Sequence, residues 1–161
     1  MLNADGYLPA GIHDMTVEEM REVFVSPFPA SVTRHVVFAG YEKHRSELET
    51  LKIDIEQFID GSFTTSKVDP GDVDLVCFAD AHIIDSLPPE KQDELLQLVR
   101  GPATRATHHC DAYFCATLPD TDPLFSKMRA QRKYWMGEFG FDRLDKPKGI
   151  VRSQLNQGEM P

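Results

Sequence analysis

Three aspartates carry the chemistry that can be read from this chain. Asp72 and Asp74 alternate in DVDLV, and Asp111 interrupts the largely apolar run HCDAYFCAT. On an extended chain successive side chains point to opposite faces, so Asp72 and Asp74 share one face while Val73 and Leu75 take the other. Two carboxylates held that close resist joint ionisation unless a positive charge stands between them. A divalent cation answers that need: Mg2+, or Mn2+ in its place, takes carboxylate oxygens, keeps several waters and completes its shell on substrate phosphates. If the strand bearing Asp111 lies beside the one bearing Asp74, three carboxylates converge and can hold two ions about 3.5 to 4 Å apart. One ion would lower the pKa of an acceptor hydroxyl and the other would neutralise a triphosphate and its pyrophosphate leaving group. The plainer alternatives are a solvated strand end for Asp72 and Asp74 and, for Asp111, a buried carboxylate that caps backbone or pairs with Arg105.

Gly61-Ser62 precedes the aspartates in DGSFTTSK. A glycine lets backbone approach a phosphate closely, the amides of a following turn can donate to it, and Ser62 Oγ adds one more donor. Lys67 is the cation expected near the triphosphate, with Arg105, Lys127 and Arg132 as helpers; a solvated loop lysine is the competing reading for Lys67. His108-His109-Cys110 lacks a second cluster of ligands, which favours a structural role or a contact to a nucleotide edge over a metal site. Tyr134-Trp135 can stack a base, although aromatic residues on such a helix more often fill a core.

Several elements must position these residues. Thr16 and Glu19 form a capping box, so a short helix runs to about Val25 before Pro27 and Pro29 stop it. A second helix starts near Ser31, with Val37, Tyr41, His44, Leu48 and Leu51 on one face that should cover a sheet. Strands are expected over Ile55 to Ile59, Asp72 to Phe78 and His109 to Thr117. Glu90 to Arg100 reads as a helix packed through Leu95, Leu96 and Val99, begun at Pro88-Pro89 and ended by Gly101. Pro123 to Glu138 reads as a last helix facing the core through Leu124, Met128 and Trp135, and Gly149 to Val151 adds an edge strand. The order points to an α/β (α+β) fold, a mixed β-sheet with helices packed on it.

The 161 residues suit one domain with a real core, 1–161, with the first few residues and the tail SQLNQGEMP, 153–161, frayed. YLPAGIH reads as a proline-glycine loop. Apolar content of 41% and charged content of 27% are ordinary for a globular protein, and no apolar run is long enough to cross a bilayer. No signal-peptide pattern opens the chain, and three cysteines without metal spacing read as reduced, buried thiols, so a cytoplasmic location is expected. A formal net charge of -9 repels long polyanions, yet local cations and bound metal can reverse the field within one cleft. Charge thus argues against a duplex groove and not against a nucleotide pocket.

Gly61-Ser62, nine intervening residues and Asp72-Val73-Asp74-Leu75 resemble the signature of the DNA polymerase beta-type nucleotidyltransferase superfamily. With LPAGIH near the start and PKGIV near the end, the chain also looks like a small stand-alone bacterial group within it, of DUF6932-like proteins. The resemblance implies a minimal nucleotidyltransferase palm. It further implies that Asp72 and Asp74 bind both metals, that Asp111 supplies the third carboxylate and general base, and that Gly61 and Ser62 contact the phosphates. The implied reaction moves NMP or dNMP from an NTP or dNTP, ATP among them, to a hydroxyl on protein or short nucleic acid. No stretch reads as a thumb, fingers or helical substrate domain, so addition is expected to be untemplated. Small members of the superfamily resemble components of toxin-antitoxin or anti-phage defence pairs, which implies a partner effector protein. The rival reading, from another class, is a non-catalytic nucleotide-binding or partner-binding regulatory module paired with an effector.

Overall fold

A computed structural model describes residues 1–156. Its strands are β1 (Gly11–Asp14), β2 (Ile55–Asp60), β3 (Val73–Asp80), β4 (Cys110–Thr117) and β5 (Gly149–Leu155). The helices are α1 (Val17–Phe24), α2 (Arg34–Glu49), α3 (Ala81–Ser86), α4 (Pro89–Leu98), α5 (Arg105–His108) and α6 (Phe125–Gly140). Among the described residues the strands form one mixed sheet in the order β1-β5-β2-β3-β4. β1 runs parallel to β5 and β3 parallel to β4, whereas β2 is antiparallel to both β5 and β3. This is the α/β sheet with helices that the residue pattern anticipates.

The two faces of the sheet carry different loads. On one, Ile55, Ile59, Val73, Leu75, Cys77, Cys110, Ala112, Val151 and Leu155 pack with buried residues of α1, α2 and α4 into the main core. On the other, Phe58, Val76, Phe78, Cys115 and Ile150 pack against Phe139, with Trp135 and Met136 partly covered. Strand alternation therefore puts Asp60, Asp74 and Asp111 on the α6 side of the sheet.

Local signals explain much of this. Thr16 caps α1 with the reciprocal bonds of a capping box, Glu19 N–H donating to Thr16 Oγ1 at 3.2 Å and Thr16 N–H to Glu19 at 2.8 Å. The predicted face of α2 is the buried one, with Arg34 and Phe38 added to it. Cys77, Cys110 and Cys115 are buried free thiols, as expected.

Some expectations need correction. Gly149–Leu155 is an inner strand flanked by β1 and β2, not an edge, so Ser153 to Leu155 are paired strand residues and not part of a frayed tail. The remainder of that tail, from 157, lies outside the described residues. The start of the chain is tied down as well: Leu8 is 2% exposed and accepts from Gly149 N–H at 3.0 Å, and Gly11–Asp14 forms the edge strand where a loop was expected. In α4, Leu95 and Leu98 are buried and Leu96 is 61% exposed, because the helix ends at Leu98 and its inner face falls on those two positions. Leu124 likewise stays 56% exposed just before α6. The short α3, capped by Asp80 Oδ1 on the His82 and Ile83 amides, has no periodic signal to announce it.

Candidate functional site

The carboxylates meet through strand register. Asp60 is opposite Asp74 in the β2–β3 pair, and Asp74 is opposite Asp111 in the β3–β4 pair. Neighbouring strands lie about 4.8 Å apart, so three aspartates form a row with Asp74 in the middle. Asp72 stands just before β3, where the amide of Val73 donates to the His109 carbonyl at 2.9 Å. All six residues singled out from sequence, Asp72, Asp74, Asp111, Gly61, Ser62 and Lys67, line one cleft of about 930 Å³. Lys127 and Arg132 do not line it; Arg132 pairs with Glu56 and lies over the Phe58 and Phe78 rings.

Two internal cations serve this row. Arg105 reaches Asp111 Oδ2 with Nη2 at 2.6 Å and Asp72 Oδ2 with Nε at 3.0 Å. Lys148 Nζ lies 2.7 Å from Asp60 Oδ2, a pair 11% and 3% exposed. Burial pushes the Asp74 carboxyl up to about 6, and the charges of Asp72 and Asp111 act in the same direction against Arg105 and Lys148. Asp60 is also raised to about 6, by burial first, with Lys148 opposing. The pairing of Asp111 with Arg105, one of its two sequence readings, is present; its other oxygen, Oδ1, is buried without a hydrogen-bond partner among the described residues.

The scaffold around the row is rigid for identifiable reasons. Gly61 has φ +79°, and a Cβ there would fall 2.0 Å from Asp74 Oδ2, so the glycine is required by its own backbone and by the carboxylate packed over it. The turn after it is clamped by buried Arg34, whose guanidinium donates to the carbonyls of Phe24, Phe63, Thr65 and Lys67 at 2.5 to 2.8 Å. Burial lowers the Arg34 pKa to about 10, which still leaves it charged at neutral pH. On the other flank, Thr104 Oγ1 accepts from Ala112 N–H at 3.2 Å and lies 2.7 Å from the Cys110 carbonyl, clipping the start of α5 onto β4. His108 on α5 bonds Glu47 of α2 at 2.9 Å, and Gly40 lets the two helices approach where a Cβ would come within 2.3 Å of the His108 carbonyl. Arg105 is thereby carried on a fixed platform. His108 and His109 do not line the cleft.

The profile of a family of unknown function, DUF6932, matches residues 1–154. The chain belongs to the DUF6932 family. No curated protein and no solved structure matches it.

What this DUF6932 chain offers a metal can be tested on its donors. The set is all carboxylate oxygen, suited to a hard divalent ion, and the orphaned Oδ1 of Asp111 is an acceptor that such an ion would satisfy. Among the described residues, however, no group of three His, Cys, Asp or Glu side chains is placed to hold a metal ion as it stands, and Arg105 engages two of the carboxylates. The residues fit the ion in kind, with Arg105 occupying one oxygen of Asp72 and one of Asp111. Among the described residues, no helix is long and apolar enough to cross a membrane.

The sequence reading missed Asp60 and Lys148. Asp60 lies in the quoted DGSFTTSK stretch, one residue past the expected strand, and only the pairing of β2 with β3 sets it opposite Asp74. Lys148 stood inside PKGIV, and only the tertiary pairing of β5 with β2 reveals its partner.

Proposed function

We propose that this chain is a metal-dependent nucleotidyltransferase of the polymerase beta type, moving NMP or dNMP from a nucleoside triphosphate to a hydroxyl without a template. The observation that carries the reading is the register of Asp74 opposite Asp111, beside Asp72 and facing the Gly61-Ser62 turn in one cleft. Asp72, Asp74 and Asp111 would hold Mg2+ or Mn2+, and the bound ions would supply charge neutralisation at the phosphates and a lowered pKa at the acceptor hydroxyl.

The chain's own residues do the rest. Ser62 Oγ and Lys67 bind the outer phosphates, and the clamped turn keeps them in place as the leaving group departs. The acceptor oxygen attacks the α-phosphorus in line. A new O–P bond forms, the bond to the bridging oxygen breaks, and pyrophosphate leaves with that electron pair. The Asp111 carboxylate, through the oxygen that Arg105 releases, takes the proton of the hydroxyl. The acceptor belongs to a protein, such as a partner effector, or to a short nucleic acid, since a net charge of -9 disfavours a long one.

One observation favours a second reading, a nucleotide-binding module without turnover: Arg105 and Lys148 already neutralise carboxylates of the row with no ion required. Intact mass separates the two. The chain is incubated with Mg2+ or Mn2+ and each triphosphate, alone, with an oligonucleotide and with candidate partner protein. A mass gain of one nucleoside monophosphate on any acceptor, lost in Asp74→Asn, supports transfer. Bound triphosphate without transfer to any acceptor class overturns it in favour of the module.

A further inference from the structure

The cleft has two unlike halves. One holds the aspartates, the Gly61-Ser62 turn and Lys67; the other is walled by Tyr113, Tyr134, Trp135, Phe139 and Phe141. The first four of these rings form a connected group. Tyr113 and Trp135 have centroids 4.9 Å apart, Trp135 meets Tyr134 edge-on at 5.5 Å, and it meets Phe139 at 5.6 Å.

Core packing accounts for only part of the group. Phe139 is buried, yet Tyr134 is 59% exposed and Phe141 45% exposed, both on the cleft wall. A large aromatic ring left wet inside a concave site is surface available to a flat apolar ligand. The position of the wall fixes what that ligand is. Tyr113 lies two residues beyond Asp111 on the same face of β4, about 6 to 7 Å along the strand. The rings thus begin where the carboxylate row ends, one sugar's width from the place of an α-phosphate. On the other side of that row lies the phosphate turn.

We propose that the aromatic wall is the seat of the nucleobase. The base stacks on Tyr134 beside the Tyr113–Trp135 pair, and the triphosphate runs across the carboxylate row toward Gly61-Ser62 and Lys67. This rests on the nucleotide reading of the cleft and adds the direction in which the nucleotide lies and the residues that hold its base. Stacking strength grows with ring area and every base has a π-face, so all four bases bind and purines bind ahead of pyrimidines.

Trp135 is the single tryptophan of the chain, so intrinsic fluorescence reports on this wall alone. The full chain is titrated with ATP, UTP and inorganic tripolyphosphate, following tryptophan emission and, by calorimetry, binding. ATP is expected to change the emission, tripolyphosphate to bind without changing it, and UTP to bind more weakly than ATP. Tyr134→Ala should weaken ATP about tenfold or more, from the usual worth of one base stack, and leave tripolyphosphate affinity unchanged; Tyr134→Phe should keep ATP affinity. Tyr134 is exposed, so a thermal melt checks that the alanine variant is folded. Binding of ATP with silent tryptophan emission and full affinity in Tyr134→Ala overturns the base site and leaves the nucleotide reading standing. If neither ATP nor tripolyphosphate binds, the nucleotide reading falls and the base site with it.

Discussion

Arg105 holds Asp111 by a 2.6 Å contact between Nη2 and Oδ2, and the same guanidinium reaches Asp72 at 3.0 Å. The cation is half exposed while Asp111 is 7% exposed, so the pair joins a solvent-facing partner to a buried one. Solvent screening of the half-exposed guanidinium weakens its hold on the carboxylates, which makes it displaceable by a divalent ion.

Replacing the cation tests that relationship. Arg105→Gln removes the competitor for the carboxylates, so Mn2+, measured by calorimetry without nucleotide, should bind about two- to fivefold more tightly. The variant should also melt lower than the parent in chelator and regain the difference when Mn2+ is added, since Asp111 is left buried without its partner. Unchanged Mn2+ affinity would show that Arg105 does not compete for the site.

Asp60 and Lys148 present the opposite case, an ion pair with both members nearly buried. Breaking such a pair by removing one partner costs about 3 to 5 kcal/mol. Lys148→Met should therefore lower stability to urea strongly at pH 8, where Asp60 is charged. At pH 5, below its raised pKa of about 6, the carboxyl can protonate and much of the loss should be recovered. The double variant Asp60→Asn/Lys148→Met should lie closer to the parent than Lys148→Met alone. A loss of equal size at both pH values would exclude charge burial as the cause.

These residues also show what was legible in the sequence. The capping box at Thr16, the α2 face and the strands β2, β3 and β4 were written in local spacing, and local physics decides them. Asp72 and Asp74 announced themselves because their spacing sets them on one face. Asp111 was legible as an aspartate in an apolar strand, but its place beside Asp74 depends on a parallel pairing that spacing does not encode. Lys148 and Arg34 were illegible for a related reason. Each is a single charge whose meaning lies in a partner brought from a distant element: Asp60 for Lys148, and four carbonyls for Arg34. The inner position of β5 is masked by polar Arg152 and Gln154, whose partners come from other elements: Arg152 pairs with Asp14 and Gln154 donates to Glu56.

Gly61 makes a separable prediction. Gly61→Ala meets two costs, a left-handed backbone at φ +79° and a Cβ 2.0 Å from Asp74 Oδ2. The first is intrinsic, about 1 to 2 kcal/mol. The second can be relieved by swinging the Asp74 carboxylate aside, which would take it out of the row. Urea unfolding should show a loss for Gly61→Ala that shrinks in an Asp74→Ala background, where the backbone cost and a tight 3.0 Å contact to the Cβ of residue 74 remain. Equal losses in both backgrounds would mean that Asp74 does not press on the glycine.

His44 supplies a pH dependence of opposite sign to that of the aspartates. It is fully buried, its Nε2–H donates to the Leu98 carbonyl at 2.6 Å, and its Nδ1 has no partner among the described residues. Burial, the largest influence, lowers its pKa to about 4 from 6.5. The unfolded chain therefore binds a proton at this site before the folded one does, and stability falls as pH drops from about 6.5 to about 4. The full difference is about 3 kcal/mol, at about 1.4 kcal/mol per pH unit. Asp60, raised from 3.8 to about 6, works the other way: the folded chain binds the proton first, and stability grows as pH falls through the same range. The two contributions offset each other in the parent between pH 4 and 6. Removing either should expose the other. Relative to the parent, His44→Gln should gain stability as pH falls from 7 to 4, while Asp60→Asn should lose it, both read from urea midpoints at each pH. Gln is chosen because its amide can still donate to the Leu98 carbonyl. Parallel pH profiles for parent and His44→Gln would mean that the imidazole protonates within the fold as readily as it does outside it.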